Sequence, residues 1–193
     1  MFAALNRTTD AAVEPITTTQ AKTHLRVTHS DDDTYIDLLI KTARTSAEHY
    51  CGRAFNTQTW VATFNGTDCE RLRLPYPKLI GITSIQYRDG DGTLQTTSLS
   101  DYEANIDNEP GVVKFLTVPA YDATYENPLR VTYTAGYGAS ASDVPEDIKH
   151  ALKLLLTHWY NHRQSVVNSN EIAPVELPQG IKWLLDPYKF RYS

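Results

Sequence analysis

Apolar positions along this chain change their period twice. From Ile36 through Leu39, Ile40, Ala43 and Ala47 to Tyr50 they recur at three- and four-residue steps, the spacing of an amphipathic helix. Ser30 precedes the run as a capping residue, and Asp31, Asp32 and Asp33 put negative charge in the first turn, where the helix dipole favours it. Gly52 is placed to end the helix in a left-handed cap. A shorter helix is predicted ahead of it in "ITTTQAKTHLRV", where Thr17 and Gln20 have the spacing of a capping box and Ala21, His24 and Leu25 make one face. The first residues, "MFAALNRTTDAAVEP", carry no period and read as an N-terminal arm.

From Asn56 to Tyr137 the pattern turns to β. "TQTWVATF", "RLRLP", "LIGITSIQYRDGDGTLQ", "YEANI", "VVKFL" and "LRVTYTAGY" are short runs rich in Thr, Val and aromatics, broken by Gly, Pro and Asp turns. Asp89, Gly90, Asp91 and Gly92 form the turn of one hairpin. With no helical period between the runs, an antiparallel sandwich or barrel is expected, not a doubly wound parallel sheet.

The helical period then returns. Asp143 is in position to cap, Pro145 fits a first turn, and Ile148, Ala151, Leu152, Leu155, Leu156 and Trp159 mark one buried face of a helix reaching about Arg163. A polar stretch, "QSVVNSNEIAPVELPQG", separates it from an apolar tail, "IKWLLDPYKFRYS". The expected fold is α+β: a small helical bundle of N-terminal helices and one long C-terminal helix, with an inserted antiparallel β subdomain. The divisions are residues 1–55 (arm and helices), 56–138 (β insert) and 139–193 (long helix and tail), the last packing with 16–52 as one helical core.

Composition narrows the function classes. The chain has 193 residues and a net charge of −5, which speaks against a protein that coats nucleic acid by counterion release. Two cysteines, Cys51 and Cys69, make no disulfide framework of the secreted kind. No apolar run is long enough to span a bilayer. A protein of a reducing cytoplasm, without membrane contact, is expected.

Candidate chemistry is sparse. In "VTYTAGYGASASDVPEDIKHAL" a β run passes through Gly136 and Gly138 into a helix, as phosphate loops do. A Walker loop needs Lys and Ser/Thr after its last Gly, and a dinucleotide fingerprint needs a third Gly. Here Ala139 and Ser140 follow Gly138, and Ala141 stands where the third Gly belongs. The two glycines read instead as the hinge from which the β insert hangs. His158 and His162 share a helix face, but Trp159 occupies the place where a zincin-type protease carries its general base. His49 and Cys51, two residues apart on one helix, point to different faces and make no dyad. The Asp31–Asp33 run lacks the spaced ligands of a calcium loop. No catalytic residue, metal ligand or cofactor is assigned.

The order of motifs is more telling than any one of them. "ITTTQAKTHLRV", "DDDTYIDLLIKTARTSAEHYCGRAF", "TQTW", "LRLPYPKLIGITSIQYRDGDG", "VTYTAGYG", "VPEDIKHALKLLLTHWYNHR" and "LPQGIKWLLDPYK" follow one another from Ile16 onward. This series resembles the head–tail connector, or adaptor, family of tailed double-stranded DNA bacteriophages, in the branch with a β insertion between its helices. The resemblance implies a non-enzymatic protein of the virion neck, present in the host cytoplasm during assembly. It implies a dodecameric ring beneath the portal that extends the DNA channel, lets DNA pass without sequence-specific binding and offers a surface to stopper or tail-completion proteins. The apolar tail residues Ile181, Trp183, Leu184, Leu185, Tyr188 and Phe190 are candidates for an interface with the portal or a neighbouring subunit, the alternative being that the tail folds back over the helices of its own subunit. Two other readings stay open at this point: a small hydrolase or nucleotide-binding enzyme with scattered site residues, and a binding module whose β lobe holds a ligand.

Overall fold

The computed structural model describes residues 2–66, 70–162 and 179–190. Its class is α+β, as the periodicities require. Helix α1 (Thr18–Leu25) starts at the capping box: the Gln20 N–H donates to Thr17 Oγ1 at 3.2 Å and the Thr17 N–H to Gln20 Oε1 at 3.0 Å. Helix α2 (Asp33–Cys51) begins later than its sequence suggests. Its N-cap is Asp32, not Ser30, and the Asp32 side chain makes no cap bond; it accepts a hydrogen bond from Tyr160 Oη at 2.5 Å instead. Gly52 does end α2, at φ 62°.

The β region carries strands β2 (Gln58–Phe64), β3 (Arg71–Arg73), β4 (Leu79–Arg88), β5 (Leu94–Thr96), β6 (Tyr102–Asn105), β7 (Val112–Phe115) and β8 (Leu129–Ala135). The N-terminal residues, which read as an arm, form an eighth strand, β1 (Phe2–Thr9), paired antiparallel with β2. Its sequence gives no alternation because it is an edge strand with bulges between Phe2 and Ala4 and between Arg7 and Thr9. Five strands make one sheet in the order β1-β2-β8-β4-β5, and three make a second in the order β3-β7-β6. Trp60, Ala62 and Phe64 from β2 and Leu129, Val131 and Tyr133 from β8 bury one face of the larger sheet. They meet Leu72, Val113, Phe115 and Tyr102 from the smaller one, so the lobe is a two-layered sandwich.

Helix α3 (Glu146–Asn161) and the short α4 (Gln179–Leu185) complete the helical body. Asp143 does not cap α3; its carboxylate accepts from the Ser140 N–H at 2.9 Å and closes a single 3₁₀ turn, 141–143. The N-cap of α3 is Pro145. Ile36, Ile40, Ala43 and Ala47 of α2 pack with Ile148, Leu152, Leu155 and Leu156 of α3 and with Ala21 of α1 in a second, separate apolar core. The expected end of α3 at Arg163 and the polar stretch after it lie outside the described residues, as does Cys69.

Body and lobe meet across a charged layer that no local motif announces. Arg44 of α2 is fully buried. It binds Glu14 through Nε (2.7 Å) and Nη2 (3.2 Å), Asp10 through Nη2 (3.0 Å) and Glu48 through Nη1 (2.9 Å). The other Glu48 oxygen accepts from the Phe55 N–H at 2.9 Å and from Gln58 Nε2 at 2.5 Å. Arg7 of β1 joins at 3.1 Å from Asp10. Burial raises the Glu48 carboxyl above the ordinary range even against the pull of Arg44. The Arg44 charge is held despite its own burial by Glu14, Glu48 and Asp10. A buried ion cluster with this many hydrogen bonds fixes a geometry more than it adds stability.

Candidate functional site

The candidate residues fall in two places, the tail and the junction of the lobe. In the tail, Ile181 and Leu185 are one helical turn apart on α4 and both enter the core of the same subunit. Leu184 and Tyr188 pack against that core from partly exposed positions. Trp183, between them, points away and is 75% exposed. Four of the six residues therefore pack on the chain's own body, and one large aromatic faces solvent.

Polar contacts hold the tail down. Residues 186–188 form a 3₁₀ turn, and Asp186 accepts from Tyr50 Oη at 2.6 Å. The Phe190 N–H donates to the Cys51 carbonyl at 2.6 Å. That approach depends on Gly52, where a Cβ would stand 2.5 Å from the Phe190 carbonyl oxygen. The Lys189 ammonium sits 3.9 Å from the centre of the Tyr50 ring. Cys51 is buried beneath the tail, its thiol 3.7 Å from the Leu185 carbonyl, and burial pushes that thiol up to about 12. Such a thiol is not a nucleophile.

At the junction the incoming and outgoing chains run side by side. The Tyr137 N–H donates to the Phe55 carbonyl at 2.8 Å, the Thr57 N–H to the Gly138 carbonyl at 2.9 Å, and Asn56 Nδ2 to the Ser140 carbonyl at 3.3 Å. Gly136 adopts φ +139°, and a Cβ there would meet the Asn56 carbonyl at 2.5 Å. At Gly138 a Cβ would meet the Asp143 carboxylate. Both positions read as a hinge are thus close-approach points in a stitched junction.

Arg53, just after α2, ties the two places together. Its Nε donates to the Tyr188 carbonyl at 3.0 Å, Nη1 to Tyr137 Oη at 3.2 Å, and Nη2 to Glu109 Oε2 at 2.5 Å. Burial works against the Arg53 charge, yet Glu109 and Tyr137 outweigh it and hold the guanidinium above its ordinary range. Burial also pushes the Tyr137 phenol up to about 12.

The residues considered for chemistry stay apart. The His158 and His162 rings lie 4.8 Å apart between centres, and His162 Nδ1 is 2.8 Å from the His158 carbonyl rather than turned outward beside its neighbour. Among the described residues no group of three or more His, Cys, Asp or Glu side chains is placed to hold a metal ion.

A family model described as head completion protein matches residues 14–190. The chain belongs to the head completion protein family. The family match spans α1 to the tail and omits only β1 among the elements. A chain from the neck of an empty gene transfer agent (GTA) particle computed with C6 symmetry is 18% identical to this head completion protein. It superimposes with a TM-score of 0.81, covering 99% of this chain and 97% of that one. A chain from the virion of a native GTA particle gives 0.79 at 18% identity, and one from the neck of a native GTA particle computed with C12 symmetry gives 0.72 at 17%, each with the same coverage. These likenesses establish that the whole fold is shared. The curated proteins hold no match to the chain. The resemblance carried by the ordered sequence motifs and the family found by comparison agree.

Proposed function

We propose that this head completion protein is a structural part of the virion neck: a ring of twelve copies beneath the portal that extends the DNA channel and gives stopper or tail-completion proteins a surface to dock on. The observation that carries the reading is the family match over residues 14–190. The likeness, over nearly the full length of both chains, to a chain from a neck computed with C12 symmetry supports it. In this reading the protein catalyses nothing, and DNA passes it unread. The net charge of −5 suits a wall that packaged DNA does not adhere to.

Trp183 is the proposed contact with the portal or a neighbouring subunit, because among the described tail aromatics it is the one that the body leaves in solvent. Gly136 and Gly138 set the angle of the lobe to the ring through the stitched junction. Negative-stain microscopy of the protein mixed with the portal of its own genome tests the reading. Rings added to one end of the portal are expected, and portals unchanged at saturating protein would overturn it. Trp183→Ala is expected to keep wild-type thermal stability and lose retention on the portal; wild-type retention would remove Trp183 from the contact.

A further inference from the structure

The larger sheet covers one face with the smaller sheet and, among the described residues, leaves the other without a second layer. On that face the register sets Ala4 beside Thr63, Asn6 beside Val61, and Thr63 beside Arg130. Near the β4–β5 turn this face sinks into a groove of about 480 Å³, whose apolar lining comes from Ala4, Val61, Leu94 and Pro128. Two arginines, Arg88 and Arg130, and one glutamate, Glu126, stand at it. Arg88 is engaged by the Gly92 carbonyl at 2.7 Å and by the Tyr125 ring. The exposed Arg130 side chain has no partner among the described residues.

A second apolar patch lies where the chain passes from β5 to β6 and where it leaves β7. Leu99 is 78% exposed, Leu116 56% and Val118 45%. The N–H groups of Leu116 and Thr117 donate to the Asp101 carbonyl at 2.8 and 3.1 Å, which brings the two segments together. Among the described residues the Asp101 carboxylate accepts only from Ser100 Oγ, at 3.3 Å. Single exposed aliphatic residues are ordinary, but three on adjoining segments form a patch.

We infer that the ridge of Leu99, Leu116 and Val118 seats in the Ala4–Val61–Leu94 groove of a second copy of this chain, with Asp101 of one copy facing Arg130 of the other. The inference rests on the ring reading. A closed ring needs two different, complementary patches on each subunit. Groove and ridge are built from different residues and carry opposite charges, Arg130 at one and Asp101 at the other. The groove sets the apolar Ala4, Leu5, Val61, Leu94 and Pro128 among polar residues, and its surplus charge is positive, which matches a leucine ridge with one carboxylate. Charge placed this way fixes register between copies.

The test uses the full chain carrying Cys69→Ser, assembled on the portal of its own genome. Thr63→Cys and Leu99→Cys together are expected to give a ladder of disulfide-linked multimers on mild oxidation, and either one alone none. Arg130→Glu and Asp101→Arg are each expected to lower ring occupancy about tenfold, as a contact worth roughly 1.4 kcal/mol would, and the two together to restore it. Thermal midpoints equal to wild type show that each variant folds. Wild-type rings with neither a ladder nor restoration overturn the contact and leave the ring standing, the ridge then belonging to a different neck protein. If the wild type forms no rings, the ring reading falls and this contact falls with it.

Discussion

The Arg53 guanidinium grips the Glu109 carboxylate through two nitrogens, Nη2 at 2.5 Å from Oε2 and Nη1 at 3.3 Å from Oε1, across 56 residues of sequence. The same guanidinium holds the Tyr188 carbonyl, so the helical body, the lobe and the tail share one side chain. Arg53→Ala is expected to lower unfolding free energy by about 2 kcal/mol, since Glu109 is partly exposed and the pair is screened. Hydrogen exchange should quicken together at residues 107–110 and 186–190. Arg53→Lys keeps the charge but not the fork, and should fall between. Protection unchanged in one of the two segments would separate them.

The junction makes a contrast among glycines. Gly136→Ala forces a Cβ against the Asn56 backbone at positive φ, whereas a Cβ at Gly90 meets nothing within 4 Å. Chemical denaturation should show a loss of about 1–3 kcal/mol for Gly136→Ala and less than about 0.5 kcal/mol for Gly90→Ala. Equal effects at the two sites would mean that the junction is not tightly set.

In the charged layer, Arg44→Met leaves Glu14 and Glu48 without their shared cation. Stranding a buried carboxylate costs roughly 3–5 kcal/mol, so a chain of this size should lose about 10 °C in thermal midpoint. Glu48→Gln keeps the side chain's shape and an acceptor for Phe55 and Gln58, loses the one for Arg44, and should cost less. The order of the two variants in a calorimetric scan is the readout.

Alkaline stability follows from Cys51. Its thiol titrates near 9 when unfolded and is pushed up to about 12 by burial in the fold. The folded state therefore keeps a proton that the unfolded state gives up. The stabilisation is complete below about pH 9 and lost as the pH rises toward 12. Tyr137 acts in the same direction between about 10 and 12. Between pH 8 and 10.5 the wild type should lose of order 1 kcal/mol more than Cys51→Ala. Parallel urea midpoints for the two proteins across that range would count against a buried thiol.

Helix faces and the α+β class were legible from period alone, and so were Gly52 and the Thr17–Gln20 box, because each is decided within a few residues. Strand β1 was not, since an edge strand with two bulges has little alternation to read. Ser30 and Asp143 have the chemistry of caps, but Asp32 answers to Tyr160 and Asp143 to Ser140, tertiary and loop partners that outrank local spacing. Arg44 and Glu48 stand four apart like an ordinary surface pair, and their partners Asp10, Glu14 and Gln58 are brought to them only by the tertiary fold. The tail shows both limits at once. Ile181 and Leu185 have core spacing, yet Trp183, just as apolar in sequence, faces out.

The helical core draws on Ile36 to Ala47 at one end of the chain and on Ile148 to Leu185 at the other, while the sandwich is complete by Ala135. On the ribosome, then, the lobe finishes first. Helices α1 and α2 emerge early, and their apolar faces wait through the making of some hundred residues for α3 and α4. That interval is when the nascent chain exposes most of its sticky surface and depends most on whatever shields it.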